Sequence, residues 1–183
     1  MKSFFKKYNK FTKGFTLVET LVAISIFTVS LLGLMSVLAS GITSTTYAKQ
    51  KILATYLAQE GIEYIRNARD TDVLYPSNGN AWANTFKSSL SGCVSAANGC
   101  GFSSYTIPAS FFPCSSSTAC KLFMNNNGGY DANSGGIDSG FTRKIWKNNI
   151  GADEVRIFSN VSWVQGSGNY SITFSEDLFN WVP

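Results

Sequence analysis

Apolar and polar positions follow three regimes along the chain. Residues 15 to 40 are almost continuously apolar, and no Asp, Glu, Lys or Arg occurs from Thr20 to Ala48. At 1.5 Å per residue, a helix of this length crosses the ~30 Å hydrocarbon layer of a bilayer. From Ser44 to Asp70 the run gives way to helical periodicity. Leu53, Leu57, Tyr64 and Ala68 recur on one face, and Ile52, Tyr56 and Ile65 widen the stripe. Lys49, Gln50, Gln59, Glu63, Arg66 and Arg69 supply the polar faces. No proline interrupts residues 15–70, so one helix from about Phe15 to Arg69, roughly 80 Å long, is expected. Gly33, Gly41 and Gly61 each weaken it by about 1 kcal/mol relative to Ala. At Gly33 and Gly41 the missing side chain allows close helix packing or local melting.

Helical periodicity is lost after Asp70. Residues 71–120 are loop-rich, with turn material in "SNGN", "SGCVSAANGCG" and "CSSSTAC". Short structured pieces are expected at Trp82 to Leu90, helical, and at Ser104 to Ile107, extended. Residues 121–183 alternate with period two instead. "FTRKIWKN" (Phe141 to Asn148) and "EVRIFSNVSWVQ" (Glu154 to Gln165) read as strands, with Val155, Ile157, Ser159, Val161 and Trp163 sharing one face. "GSGN" (Gly166 to Asn169) reads as a turn, and "YSITFSE" (Tyr170 to Glu176) as the returning strand of a hairpin. "KLFMNNNGGY" (Lys121 to Tyr130) supplies a further edge strand. The expected fold class is α+β, a long N-terminal helix packed on an antiparallel sheet of three or four strands.

Charge changes the picture at one end. Of the fifteen Lys and Arg, Lys2, Lys6, Lys7, Lys10 and Lys13 lie in the first fourteen residues, which hold no acid. From Phe15 onward ten bases face eleven acids, a net charge of −1. The basic character therefore belongs to the N-terminal segment and gives no reason to expect nucleic acid as a partner. With lysines ahead of the apolar run and only Lys49 and Lys51 close behind it, the positive-inside bias puts Met1 in the cytoplasm and the C-terminus outside. Ala39-Ser40-Gly41 offers small residues for removal as a secretory signal, but the run is well beyond the 7–15 residues of a usual signal core.

The chain contains no histidine, which excludes His-dependent triads and the commonest metal ligand. Asp131, Asp138, Asp153 and Glu154 show no spacing that marks a paired acid and base, so an enzyme is not expected. No cofactor is expected either. Cys93, Cys100, Cys114 and Cys120 form an even set in the part expected outside, where disulfides are the natural reading. Three pairings are open. Nearest-neighbour bridges, Cys93–Cys100 and Cys114–Cys120, are favoured because each would staple one Gly/Ser-rich loop, and the gaps fit a four-cysteine zinc site poorly. In "DANSGGID", Asp131, Asn133 and Asp138 have the alternation of a calcium loop, but Thr142 stands where its closing carboxylate would be needed.

One charge is out of place. Glu19 sits at the leading edge of the apolar run, where a carboxylate is costly, by roughly 2.5–3.5 kcal/mol for a charge at the helix centre. Its setting, Lys13-Gly14-Phe15-Thr16-Leu17-Val18-Glu19, resembles the class III signal of type IV pilins and type II secretion pseudopilins: a basic leader ending in Gly, then Phe, and Glu at the fifth position after the cut. The likeness extends through the apolar helix that follows. "LAQEGIEYIRNARD" (Leu57 to Asp70) further resembles the second-half helix of V-type minor pilins and I-type pseudopilins.

The resemblance implies a leader at residues 1–14, cleaved by a membrane-embedded prepilin peptidase between Gly14 and Phe15, and N-methylation of Phe15. It implies a helix at 15–70 whose first part, 15–40, is transmembrane and then filament core. Residues 71–183 would form an extracytoplasmic globular domain, giving a ladle shape. Glu19 would be an assembly residue that neutralises the N-terminal ammonium of a neighbouring subunit. The implied partners are the peptidase, other pilin or pseudopilin subunits, the assembly platform and the membrane. The implied location is the inner membrane, then an extracellular filament or periplasmic pseudopilus. The expected function is a minor pilin or pseudopilin. A major pilin, and a membrane-anchored extracellular binding protein or enzyme, remain open.

Overall fold

The computed structural model describes residues 14–75, 82, 86–103, 110–116, 119–132 and 135–180. Residues 1–13 of the expected leader, the extended piece at Ser104–Ile107, and Asn133 lie outside the described residues, as does part of the helical piece at Trp82–Leu90. The chain forms two compact units, Met1–Thr46 and Tyr47–Pro183.

Helix α1, Leu17–Leu74, runs through both units. It ends five residues beyond the expected Arg69, because Pro76 is the first residue that disfavours helix at its predecessor. In the Trp82–Leu90 stretch the described residues Trp82 and Phe86 are helical with π geometry, and α2 follows at Lys87–Ser89. In the first unit the α1 side chains face outward. Several hydroxyls fold back onto the helix: Thr20 donates to the Leu17 carbonyl at 2.9 Å, Ser25 to Val22 at 2.8 Å and Ser30 to Ile26 at 2.8 Å. A hydroxyl satisfied within its own helix needs no water, which suits a segment surrounded by hydrocarbon.

In the second unit α1 packs on one antiparallel sheet of seven strands. The strands are β1 (Cys100–Phe102), β2 (Phe111–Pro113), β3 (Lys121–Met124), β4 (Tyr130–Asp131), β5 (Ile137–Asn149), β6 (Glu154–Gln165) and β7 (Gly168–Phe179). The three long C-terminal strands follow one another as a meander. Gly166, with φ +59°, starts the two-residue β6–β7 connection, a conformation that favours glycine. The other flank of β5 is shared by β1, through Cys100 opposite Ile145, and by β3.

Two expectations are corrected here. The sheet has seven strands rather than three or four, because the 71–120 region contributes the β1–β2 hairpin. The "KLFMNNNGGY" strand is not an edge, since β4 covers the side of β3 away from β5. The three added strands, β1, β2 and β4, are two or three residues long, too short for alternation to betray them.

The strand alternation sorts the core. Val155, Ile157, Ser159, Val161 and Trp163 are all buried, as are Phe141 and Ile145 of β5. They meet a helix stripe of Ala54, Leu57, Ala58, Gly61, Ile62, Ile65 and Ala68. Each large apolar side chain buried this way contributes roughly 1.5–3 kcal/mol. The expected stripe is corrected at two positions. Ile52 (58 % exposed) and Tyr56 (65 %) lie off the packed face, while Ala54, Ala58 and Gly61 occupy it. Small residues win because the helix lies close to the sheet: a Cβ at Gly61 would collide with the Ser159 hydroxyl.

β5 also carries two cations onto the core side. Arg143 is buried, paired with Glu60 at 2.7 Å, and donates to the Leu57 carbonyl at 3.2 Å. Its guanidinium lies 4.0 Å from the Phe102 ring centroid. Burial lowers its pKa, and the Glu60 carboxylate opposes that shift. Lys147 Nζ donates to the Lys87 carbonyl at 2.6 Å. Burial, with the nearby Lys87 charge adding to it, lowers the Lys147 pKa.

Candidate functional site

The residues with an expected role begin at Gly14, which is exposed with open space about its Cα. Phe15 follows at 80 % exposure, without a partner among the described residues. Thr16 then starts the helix. Its Oγ1 accepts a hydrogen bond from the Glu19 N–H at 3.2 Å, and its carbonyl accepts the Thr20 N–H at 3.1 Å. This is the N-cap geometry that satisfies one of the four orphan donors of a helix start. Its signal in the sequence is Thr-x-x-Glu, the spacing of a capping box.

Glu19 therefore lies in the first turn of α1, where the helix dipole favours negative charge. No side-chain hydrogen bond or ion pair of its carboxylate is seen among the described residues. It is the one formal charge between Gly14 and Ala48, at the end of a helix long and apolar enough to cross a membrane. Beyond it Leu21, Ile24, Phe27, Leu32, Leu34 and Met35 are all exposed. So large an apolar surface is the mark of a segment that another phase or another chain covers.

The four cysteines sit apart from this end. Cys93 is bonded to Cys100, and Cys114 to Cys120. The first bridge is buried beside β5, where the Lys147 N–H donates to the Cys93 carbonyl at 2.7 Å. The two bridges also converge, since the Cys114 N–H donates to the Gly99 carbonyl at 2.9 Å and the Cys120 sulfur lies against Gly101. Together they hold the β1–β2 hairpin against β5.

The calcium-like alternation does not gather into one shell. Asp131 of β4 and Asp138 of β5 both register with Phe123, from opposite sides of β3. Asp138 accepts from Lys121 Nζ at 2.7 Å and from the Gly140 N–H at 2.9 Å. The lysine hydrogen bond, more than the backbone one, holds the Asp138 carboxyl below its usual pKa. Asp131 is buried and accepts from the Ser103 hydroxyl at 2.9 Å. Among the described residues no group of three His, Cys, Asp or Glu is placed to hold a metal ion.

A membrane-length helix with a capped, acid-bearing start, continued by a helical stripe on an antiparallel sheet, defines an α+β protein of pilin-like fold. Residues 9–35 match the family described as the prokaryotic N-terminal methylation motif. The chain carries the prepilin-type signal of type IV pilins and pseudopilins, which points to a membrane-anchored structural subunit processed by a prepilin peptidase. Neither a curated protein nor a solved structure matches the chain.

Proposed function

We propose that the chain is a minor pilin or pseudopilin, a subunit of a type IV pilus-like filament. In this reading a prepilin peptidase cuts between Gly14 and Phe15, and the new N-terminal amine on Phe15 is methylated. The chain waits in the inner membrane with its sheet outside, then enters the filament through α1. The observation that carries the reading is Glu19: a carboxylate in the first turn of a membrane-length helix, four residues after the exposed Gly14–Phe15 junction. Thr16 remains in place after the cut, so its cap survives processing.

The Phe15 ammonium and the Glu19 carboxylate are each costly in low dielectric, and their pairing between subunits offsets much of that cost. Burial of Glu19 is then compensated only in the polymer. The long sheet, the two stapled loops and the aromatic content favour a minor subunit or pseudopilin over an abundant fibre subunit.

The test compares each variant in sheared filaments with its amount in membranes. Glu19→Ala should be processed, with Phe15 as first residue by N-terminal sequencing, yet incorporate at least about tenfold less, the equivalent of ~1.4 kcal/mol. Glu19→Asp, one methylene shorter, should incorporate poorly, and Gly14→Arg should retain the lysine leader. Ile42 as the mature N-terminus, or normal incorporation of Glu19→Ala, would overturn the reading.

A further inference from the structure

The two ends of the sheet domain differ in charge and in side-chain type. α1 enters the domain at Tyr47, whose ring centroid lies 5.0 Å from that of Tyr170 and 6.4 Å from that of Trp163. Trp163 and Tyr170 stand opposite each other on β6 and β7, close to the connection at Gly166. Trp163 is buried, but Tyr170 is 38 % exposed and Val164, nearer the tip, 64 %. Lys49 and Lys51 are exposed on α1 at the same end, with Lys51 Nζ 5.9 Å from the Tyr47 ring centroid. No acid of α1 or of this hairpin end answers them. α1 has no Asp or Glu between Glu19 and Glu60, and residues Val155 to Ser175 hold none. Asp138 of β5 is taken by Lys121 at 2.7 Å. Acids gather at the other end, where Asp72, Asp153 and Glu154 form no ion pair among the described residues.

The length of the uncharged stretch fixes what the Tyr47 end can reach. Thr20 to Ala48, at 1.5 Å per residue, is about 43 Å of helix. A bilayer with its headgroups is about 40–45 Å thick, of which ~30 Å is hydrocarbon. With Glu19 at one headgroup layer, Tyr47 and Lys49 fall at the other. Tyr and Trp are enriched at that level, because they join an apolar ring to a polar tip. Lysines there are attracted to anionic headgroups.

We infer that this end of the sheet domain docks on an anionic phospholipid surface while the chain is membrane-anchored. Tyr47, Tyr170 and Val164 enter the headgroup layer, and Lys49 and Lys51 meet lipid phosphates. The acids of the other end are kept away from the surface, so the charges that attract the domain also orient it. The inference rests on the membrane-anchored reading above.

The full-length protein reconstituted in vesicles tests it. The lipid is phosphatidylcholine with phosphatidylglycerol and a trace of a lipid whose headgroup chelates Ni²⁺. A nitroxide is attached at Val164→Cys or, in a second sample, at Asn149→Cys, an exposed position at the far end of β5. The four native cysteines are bridged and do not take the label. Ni²⁺ should speed relaxation of the Val164 label at least about threefold more than that of the Asn149 label, since the charge pattern holds the first on the surface. Omitting phosphatidylglycerol should cut the Val164 effect by about half or more, and so should Lys49→Gln with Lys51→Gln. Equal relaxation at the two labels overturns the inference. A Val164 effect that neither the lipid exchange nor the lysine variant reduces overturns it as well. Flotation of the vesicles separates the two levels of the argument. Protein that stays behind overturns the membrane anchor and the docking together, whereas floating protein with equal labels overturns the docking alone.

Discussion

Leu34 and Ile65 are both branched apolar residues of the same helix, yet Leu34 is 68 % exposed and Ile65 fully buried. The difference runs the length of α1. Up to Thr46 its residues are exposed, and the surface is predominantly apolar. From Tyr47 on, apolar positions narrow to a stripe that a sheet covers. A helix apolar all round suits a surrounding apolar phase, and a striped helix needs a one-sided partner. One continuous backbone thus serves two solvents, because its internal hydrogen bonds are indifferent to what lies outside. Only side-chain chemistry tells the halves apart.

A lysine placed in each half separates the two environments most sharply. Ile65→Lys should destabilise the sheet domain by more than about 4 kcal/mol, since it buries an unpaired charge in a packed core. Thermal unfolding followed by near-ultraviolet circular dichroism would read this loss. Leu34→Lys should leave the same transition in place and cost about 2.5–3.5 kcal/mol in membrane insertion, read as the fraction extracted by carbonate. Equal effects in the two assays would remove the distinction between the halves.

Glycine gives a finer version of the test. At Gly61 an added methyl meets Ser159, so Gly61→Ala should cost roughly 1–3 kcal/mol in sheet-domain stability. Ser159→Ala should recover part of that loss, because the Ser159 hydroxyl is buried without a hydrogen-bond partner among the described residues. Nothing stands within 4 Å of a Cβ at Gly33, so Gly33→Ala should strengthen the helix by up to ~1 kcal/mol in the monomer. Reduced recovery of Gly33→Ala in filaments, with normal amounts in membranes, would locate a close helix neighbour there.

The smallest expected effect concerns pH. The folded Lys147 pKa lies below its ordinary 10.5 through burial and the Lys87 charge. Between the lowered folded value and 10.5 the unfolded chain therefore binds more protons than the native one. Stability gains a term that rises with pH across this window and is absent below it, where both states are protonated. Chemical denaturation of the parent and Lys147→Met at several alkaline pH values should show the rise in the parent alone. A parallel pair of curves would mean that Lys147 is solvated.

Much of the molecule is legible in its residues because the relevant physics is local. The uncharged run after Glu19, the strand alternation of Glu154 to Gln165, and the glycine turn before β7 each state their own structure. The N-terminal signal is equally local, since the whole methylation motif lies in one contiguous stretch, residues 9–35. The Thr16 cap is local too, since a Thr hydroxyl that accepts the N–H three residues on needs no distant partner. Where sequence reasoning stopped, the deciding neighbour was distant in the chain. Alternation admits Ile52 and Tyr56 to the helix stripe as readily as Ala54 and Ala58. The sheet chooses the small residues, because close approach at Gly61 leaves room for nothing larger. Spacing leaves three cysteine pairings open, and the β1–β2 hairpin against β5 brings Cys93 to Cys100 and Cys114 to Cys120. Arg143 reads as an ordinary strand cation until Glu60, 83 positions away, supplies its partner. Each half of α1 thus states its own apolar pattern, all round before Thr46 and striped after it, within a few turns of helix. Which side chains share the core of the second half was settled by the sheet, because that depends on distances no local pattern encodes.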